Sequence, residues 1–106
     1  MYSIMEVIIT QSKNKDKKYD ANIKTKDSKK TISFGAKGYE DYTTHQDPKR
    51  KERYISRHKK REDWTKSGID TAGFYSKHLL WNKPTFEHSF KELKKKYPTI
   101  NFSYKI

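Results

Sequence analysis

The sequence predicts an α+β domain, a small antiparallel sheet covered on one face by about three helices. Three observations carry that expectation. Apolar residues alternate with period two in three segments of the first third and in one at the C-terminus. Helix-start signals at Asp47-Pro48, Asp70-Thr71 and Thr85 open three helical patterns in the second half. The apolar positions of both kinds are filled largely by two Trp, eight Tyr and five Phe. Leu, Ile, Val and Phe supply only 18 of the 106 residues, and the formal charge is +12, a composition that by itself points to disorder. Aromatic rings bury large areas each and build a core that an aliphatic count misses.

The elements follow in order. Residues 2–10 read as a strand with Met5, Val7 and Ile9 on one face. Residues 11–18 are a polar, basic loop, and 19–25 alternate again through Tyr19, Ala21 and Ile23. A turn at 26–30 leads to a short strand at 31–35 with Ile32 and Phe34 inward. Loops this short favour an antiparallel meander, because parallel pairing needs long crossovers. Residues 35–47 form a Gly/Tyr-rich connection. A helix is expected from Pro48 to about Arg61, followed by a loop over 62–70. A second helix runs from Asp70 or Thr71 to Leu80 or Trp81, and Asn82-Lys83-Pro84 stops it. The third carries Phe86, Phe90, Leu93 and Tyr97 on one face, with Lys94, Lys95 and Lys96 near its C-terminus, where cations favour the helix dipole. Pro98 ends it, and Ile100, Phe102 and Tyr104 mark a last strand. Residues 1–106 read as one domain.

The charge is concentrated. Residues 49–61 hold eight Lys and Arg against one Glu. All four arginines, Arg50, Arg53, Arg57 and Arg61, lie there and share an arc of roughly 80° on a helix. Guanidinium forks grip phosphate or carboxylate through two bonds, so the stripe points to a helix that tracks a nucleic-acid backbone. Lys49, Lys51 and Lys60 belong to the same surface, and Lys13, Lys15, Lys17 and Lys18 of the first loop extend it. Basic residues interleaved with tyrosines suit phosphates and bases together. The structural alternative pairs the arginines with Asp41, Asp47, Glu62 or Asp63.

Other chemistry is thinly represented. No cysteine is present, which excludes disulfides and thiolate sites and favours a reducing compartment. No apolar run is long enough for a signal peptide or a membrane span. The four histidines lack metal-site spacing, and no cofactor or catalytic residue is expected. A small metal-dependent nuclease with His45 as base is a third-ranked alternative. His58 reads as a half-buried helix residue, His78 and His88 as structural, and Trp64 and Trp81 as packing residues.

Three stretches carry a family resemblance: Phe34–His45 (FGAKGYEDYTTH), Arg53–Trp64 (RYISRHKKREDW) and Ser67–Thr85 (SGIDTAGFYSKHLLWNKPT). Together they resemble a family of small basic uncharacterised proteins encoded by large DNA viruses, of the mimivirus-like and phycodnavirus-like kinds. The family carries no assigned biochemistry. What the resemblance implies is a viral origin, with the virion or the viral factory in cytoplasm or nucleus as the location rather than the secretory route. With the charge, it leads to the expectation of a non-enzymatic nucleic-acid-binding protein, DNA being the expected partner. The alternative is a minor virion component whose partners are capsid or other virion proteins.

Overall fold

The computed structural model describes residues 5–106. Four strands form one sheet: β1 (Glu6–Gln11), β2 (Lys17–Lys24), β3 (Lys29–Ala36) and β4 (Asn101–Lys105), in the order β3-β2-β1-β4. Between β3 and β4 the chain forms α1 (Tyr42–His45), α2 (Pro48–His58), a 3-10 turn at Lys66–Gly68, α3 (Ala72–Tyr75) and α4 (Phe86–Lys96). The α+β expectation holds. Of the first strand expected at 2–10, residues 2–4 lie outside the described residues.

β1, β2 and β3 make the antiparallel meander, with Val7 opposite Ile23, Ile9 opposite Ala21 and Tyr19 opposite Phe34. β4 departs from the wholly antiparallel sheet. It runs parallel to β1, with Val7 opposite Phe102 and Ile9 opposite Tyr104. Short loops forbid parallel pairing only between neighbours in sequence. The whole helical segment separates β3 from β4, and that is ample length for a crossover.

One sheet face carries Val7, Ile9, Ala21, Ile23, Phe34 and Phe102, all buried. The helices close over it with Phe74, Tyr75, Leu79, Leu80, Phe90 and Leu93. Aromatic contacts knit the layers together: Phe34 meets Tyr75 at 5.5 Å, and Tyr104 meets Phe90 edge-on at 4.7 Å between ring centres. Ring pairs of this kind add to the area they bury. The opposite face is polar. There Asn22 donates to the Ile8 carbonyl and to Thr10, while the Ser12 and Ser33 hydroxyls donate to Asp20.

The helices start where side chains can satisfy their free N–H groups. Asp47 accepts from the Lys49 N–H, Thr71 from Phe74 and Thr85 from His88. α4 presents Phe90 and Leu93 to the core, as its periodicity requires. His88 is exposed rather than packed, a correction to its structural assignment. α3 runs on into a π-helical turn at Ser76–Leu80, closed by the Trp81 N–H on the Ser76 carbonyl. The wider turn carries both Leu79 and Leu80 into the core.

Candidate nucleic-acid interface

α2 has two longitudinal faces. Asp47 and Pro48 fix its start, and Tyr54 is its buried residue. The Tyr54 ring stacks on Trp81 at 4.3 Å with planes 2° apart, and on His58 at 4.2 Å. Burial raises the Tyr54 phenol pKa, and the nearby Glu62 charge adds to that. Arg50, Arg53 and Arg57 lie on the adjoining, outer face and are exposed. Arg61, expected on the same helix, falls in the turn just beyond it and is exposed as well.

The pairing alternative for the arginines does not describe this surface. Asp41 takes Lys18, Asp47 caps α2, Glu62 takes His58 and Trp64, and Asp63 takes Thr65 and Ser67. Among the described residues one arginine meets a carboxylate, Arg50 with Glu40 at 3.6 Å, and both side chains remain well exposed. A pair that open is worth little and leaves the guanidinium accessible.

The lysines divide into two groups. Lys49, Lys60, Lys13 and Lys15 are exposed, and Lys17 is half-buried with no carboxylate partner among the described residues. Lys18 and Lys51 are held by the fold. The Lys18 ammonium lies 2.6 Å from Asp41, whose side chain is 5% exposed. Lys51 donates to the Asn82 carbonyl at 2.6 Å and stands over the Tyr42 ring. Burial lowers its pKa, and the Lys83 charge adds to the effect. Both residues tie connections to the core, so they are the weakest members of the predicted basic surface.

The first basic loop is ordered from within. Asp20 accepts from Ser12 at 2.6 Å and from the Lys13 N–H, while the Asn14 side chain accepts from the Asp16 N–H. Burial alone would raise the Asp20 pKa, but the Ser12 and Ser33 hydroxyls, the Lys13 N–H and the Lys13 charge outweigh it, and the net shift is downward. The loop meets the Gly/Tyr connection through the Lys37 N–H on the Asp16 carbonyl. Arg50 reaches the same connection at Glu40. Loop, connection and helix are therefore continuous in space.

A groove of about 450 Å³ runs beside α2. Its lining includes Lys17, Tyr39 and Glu40, from β2 and the connection after β3, and Tyr54, His58 and Glu62, from α2 and the turn beyond it. Residues 34–45, 53–64 and 67–85 supply all of its lining except Lys17 and Lys18. Gly35 lies on the floor with φ at +77°, where a Cβ would stand 2.8 Å from Leu80. Glu62 is held at both oxygens: one is 2.9 Å from His58 Nδ1 and the other accepts from the Trp64 indole at 2.9 Å. A carboxylate only accepts, so His58 Nδ1 carries the proton, and Nε2 has no protein partner among the described residues.

Two histidines take structural positions. His45 accepts the Asp47 N–H through Nδ1, and its Nε2 is buried, so it has no accessible lone pair for a base. His78 is buried and donates from Nε2 to the Trp64 carbonyl at 2.9 Å. Among the described residues no group of three His, Asp or Glu side chains is placed to hold a metal. No helix is long and apolar enough to cross a membrane among the same residues.

Sequence reasoning located the arginine helix but missed the groove. Its partners lie as much as 64 positions apart, from Lys17 to Trp81. The only local signals were Gly35 and Gly73, each placed where a side chain would collide.

Residues 7–58 match a protein family described as a family of unknown function (DUF5754). The match runs from β1 through α2, taking in the basic loop and three of the four arginines, and ends before Glu62. No curated protein and no solved structure matches the chain.

Proposed function

We propose that this chain is a non-enzymatic nucleic-acid-binding protein that contacts the phosphate backbone through the outer face of α2. The supporting observation is the exposure of Arg50, Arg53, Arg57 and Arg61, of which only Arg50 meets a carboxylate among the described residues. Lys49, Lys60, Lys13, Lys15 and Lys17 extend the footprint. The resemblance to small basic proteins of large DNA viruses supplies the setting and favours DNA as the partner.

Lys18 and Lys51 being held inward shortens the predicted contact to about six phosphates, which gives a log–log salt slope near −5. The test is a fluorescence-anisotropy titration of labelled DNA at several salt concentrations. Arg53→Ala combined with Arg57→Ala should weaken binding on every sequence and flatten the slope by about 2. Absence of binding at low salt, or binding indifferent to that double variant, rejects the proposal.

A further inference from the structure

We infer that the groove beside α2 receives one unstacked base of a single strand, whose phosphates lie on the arginine face. The inference rests on the nucleic-acid reading and names the form of nucleic acid that the site prefers.

Charge decides which part of a nucleotide enters. Lys17 and Lys18 face Glu40, Asp41 and Glu62 in the lining, so the groove interior holds no excess of cations. Three carboxylates there oppose a phosphate. The uncompensated guanidiniums stand outside, on the neighbouring face of the same helix. A nucleotide is polarised in the matching sense, with its charge on the phosphate and its neutral ring carrying donors and acceptors.

The lining supplies what a base requires. Tyr39 of the lining is 75% exposed and offers its ring for a base to stack on. His58 of the same lining has an Nε2 with no protein partner among the described residues, while Glu62 and the Tyr54 ring hold the imidazole in place. Glu40 offers acceptors to an exocyclic amine. The volume of about 450 Å³ lies within the range of small-molecule sites. A base inside a duplex is stacked on both faces and cannot reach the floor of such a groove, whereas a single strand offers its bases freely.

The experiment compares a labelled 12-nucleotide single strand of DNA with its own duplex by anisotropy, at one salt concentration. Tyr39→Ala should weaken the single strand on the order of tenfold, the usual effect of losing one base stack, and leave the duplex unchanged. Tyr39→Trp should restore single-strand binding, which a merely structural role for the side chain would not predict. His58→Ala should act in the same direction as Tyr39→Ala. Equal affinity for both forms in the Tyr39→Ala and the native protein overturns the groove assignment. If Arg53→Ala with Arg57→Ala still weakens both forms in that case, the backbone-contact reading survives it.

Discussion

Gly73 lies against the carboxylate of Glu62 so closely that a Cβ at residue 73 would stand 2.7 Å from Glu62 Cδ. The glycine sits inside α3, where it costs about 1 kcal/mol of helix propensity relative to alanine. The position gives up that propensity and gains a fixed carboxylate, because Glu62 is bonded at both oxygens, to His58 and to Trp64.

Gly73→Ala therefore sets two effects against each other. Propensity favours the variant by about 1 kcal/mol. Displacing Glu62 loosens two charge-assisted hydrogen bonds, each worth about 1.5–3 kcal/mol when buried and less here, where Glu62 is partly exposed. The expected outcome is a net destabilisation of about 1 kcal/mol in urea unfolding. In a Glu62→Ala background the collision is gone, and the same Gly73→Ala change should become stabilising. A change of the same sign in both backgrounds would show that the two residues are not coupled.

Lys18 and Asp41 form the second tie. Asp41 caps α1, accepting from the Thr43 N–H and the Thr43 hydroxyl, and its remaining oxygen takes the Lys18 ammonium. Removing the cation leaves a nearly buried carboxylate without its counter-charge. Lys18→Met should cost about 2 kcal/mol, less than the roughly 3–5 kcal/mol of a fully buried pair because Lys18 itself is partly open. Adding Asp41→Asn, which keeps a competent cap, should recover most of the loss. Thermal melts of the three variants measure this directly.

Those two ties mark where the sequence was legible and where it was not. The third helix and the meander could be read because their signals are local: Phe86, Phe90 and Leu93 recur at helical spacing, and Val7, Ile9, Ala21 and Ile23 alternate. The expected Pro48–Arg61 helix ends at His58, since the Arg61 and Glu62 N–H groups both turn back onto the His58 carbonyl. α1 lies inside the Gly/Tyr connection, where Asp41 and Thr44 form a reciprocal capping box around a helix too short to show a periodicity. The parallel placement of β4 and the assembly of the groove depend on contacts between distant segments, to which a periodicity is blind. The arginine face was legible as a stripe, but that Arg50 alone meets a carboxylate among the described residues was not. Which carboxylate takes which partner is settled only when Lys18 reaches Asp41 and His58 reaches Glu62.

His78 makes the stability sensitive to acid. Burial lowers its pKa to about 4, and the hydrogen bond from Nε2 to the Trp64 carbonyl opposes that shift only in part. The Lys77 and Lys96 charges also lower it, and the rings of Phe74 and Tyr97 complete its surroundings. Its folded pKa lies below the unfolded value of 6.5, so the unfolded chain binds the extra proton first. The stabilisation from keeping His78 neutral is whole above pH 6.5 and is lost as pH falls towards 4. The loss should amount to about 3 kcal/mol on the scale of 1.4 kcal/mol per pH unit. His78→Gln keeps a donor for the Trp64 carbonyl and removes the titration. Urea midpoints measured between pH 7 and pH 4 should fall steeply for the native chain and more gently for this variant.

Glu40 is the one carboxylate that engages the arginine stripe among the described residues, and it also lines the groove. If Arg50 contacts phosphate, Glu40 competes for it and repels the incoming backbone as well. Glu40→Gln removes one negative charge and frees one guanidinium while keeping the side chain's size. Because the pair is exposed, the gain is that of a surface interaction, below about 1 kcal/mol, or up to about fivefold in affinity at low salt. The salt slope should steepen by about 0.9 as one further phosphate contact forms. An Arg50→Ala background removes the residue that Glu40 restrains, so the steepening should disappear there while any general relief of repulsion remains. Anisotropy titrations of Glu40→Gln, Arg50→Ala and the double variant therefore separate competition for Arg50 from simple loss of charge.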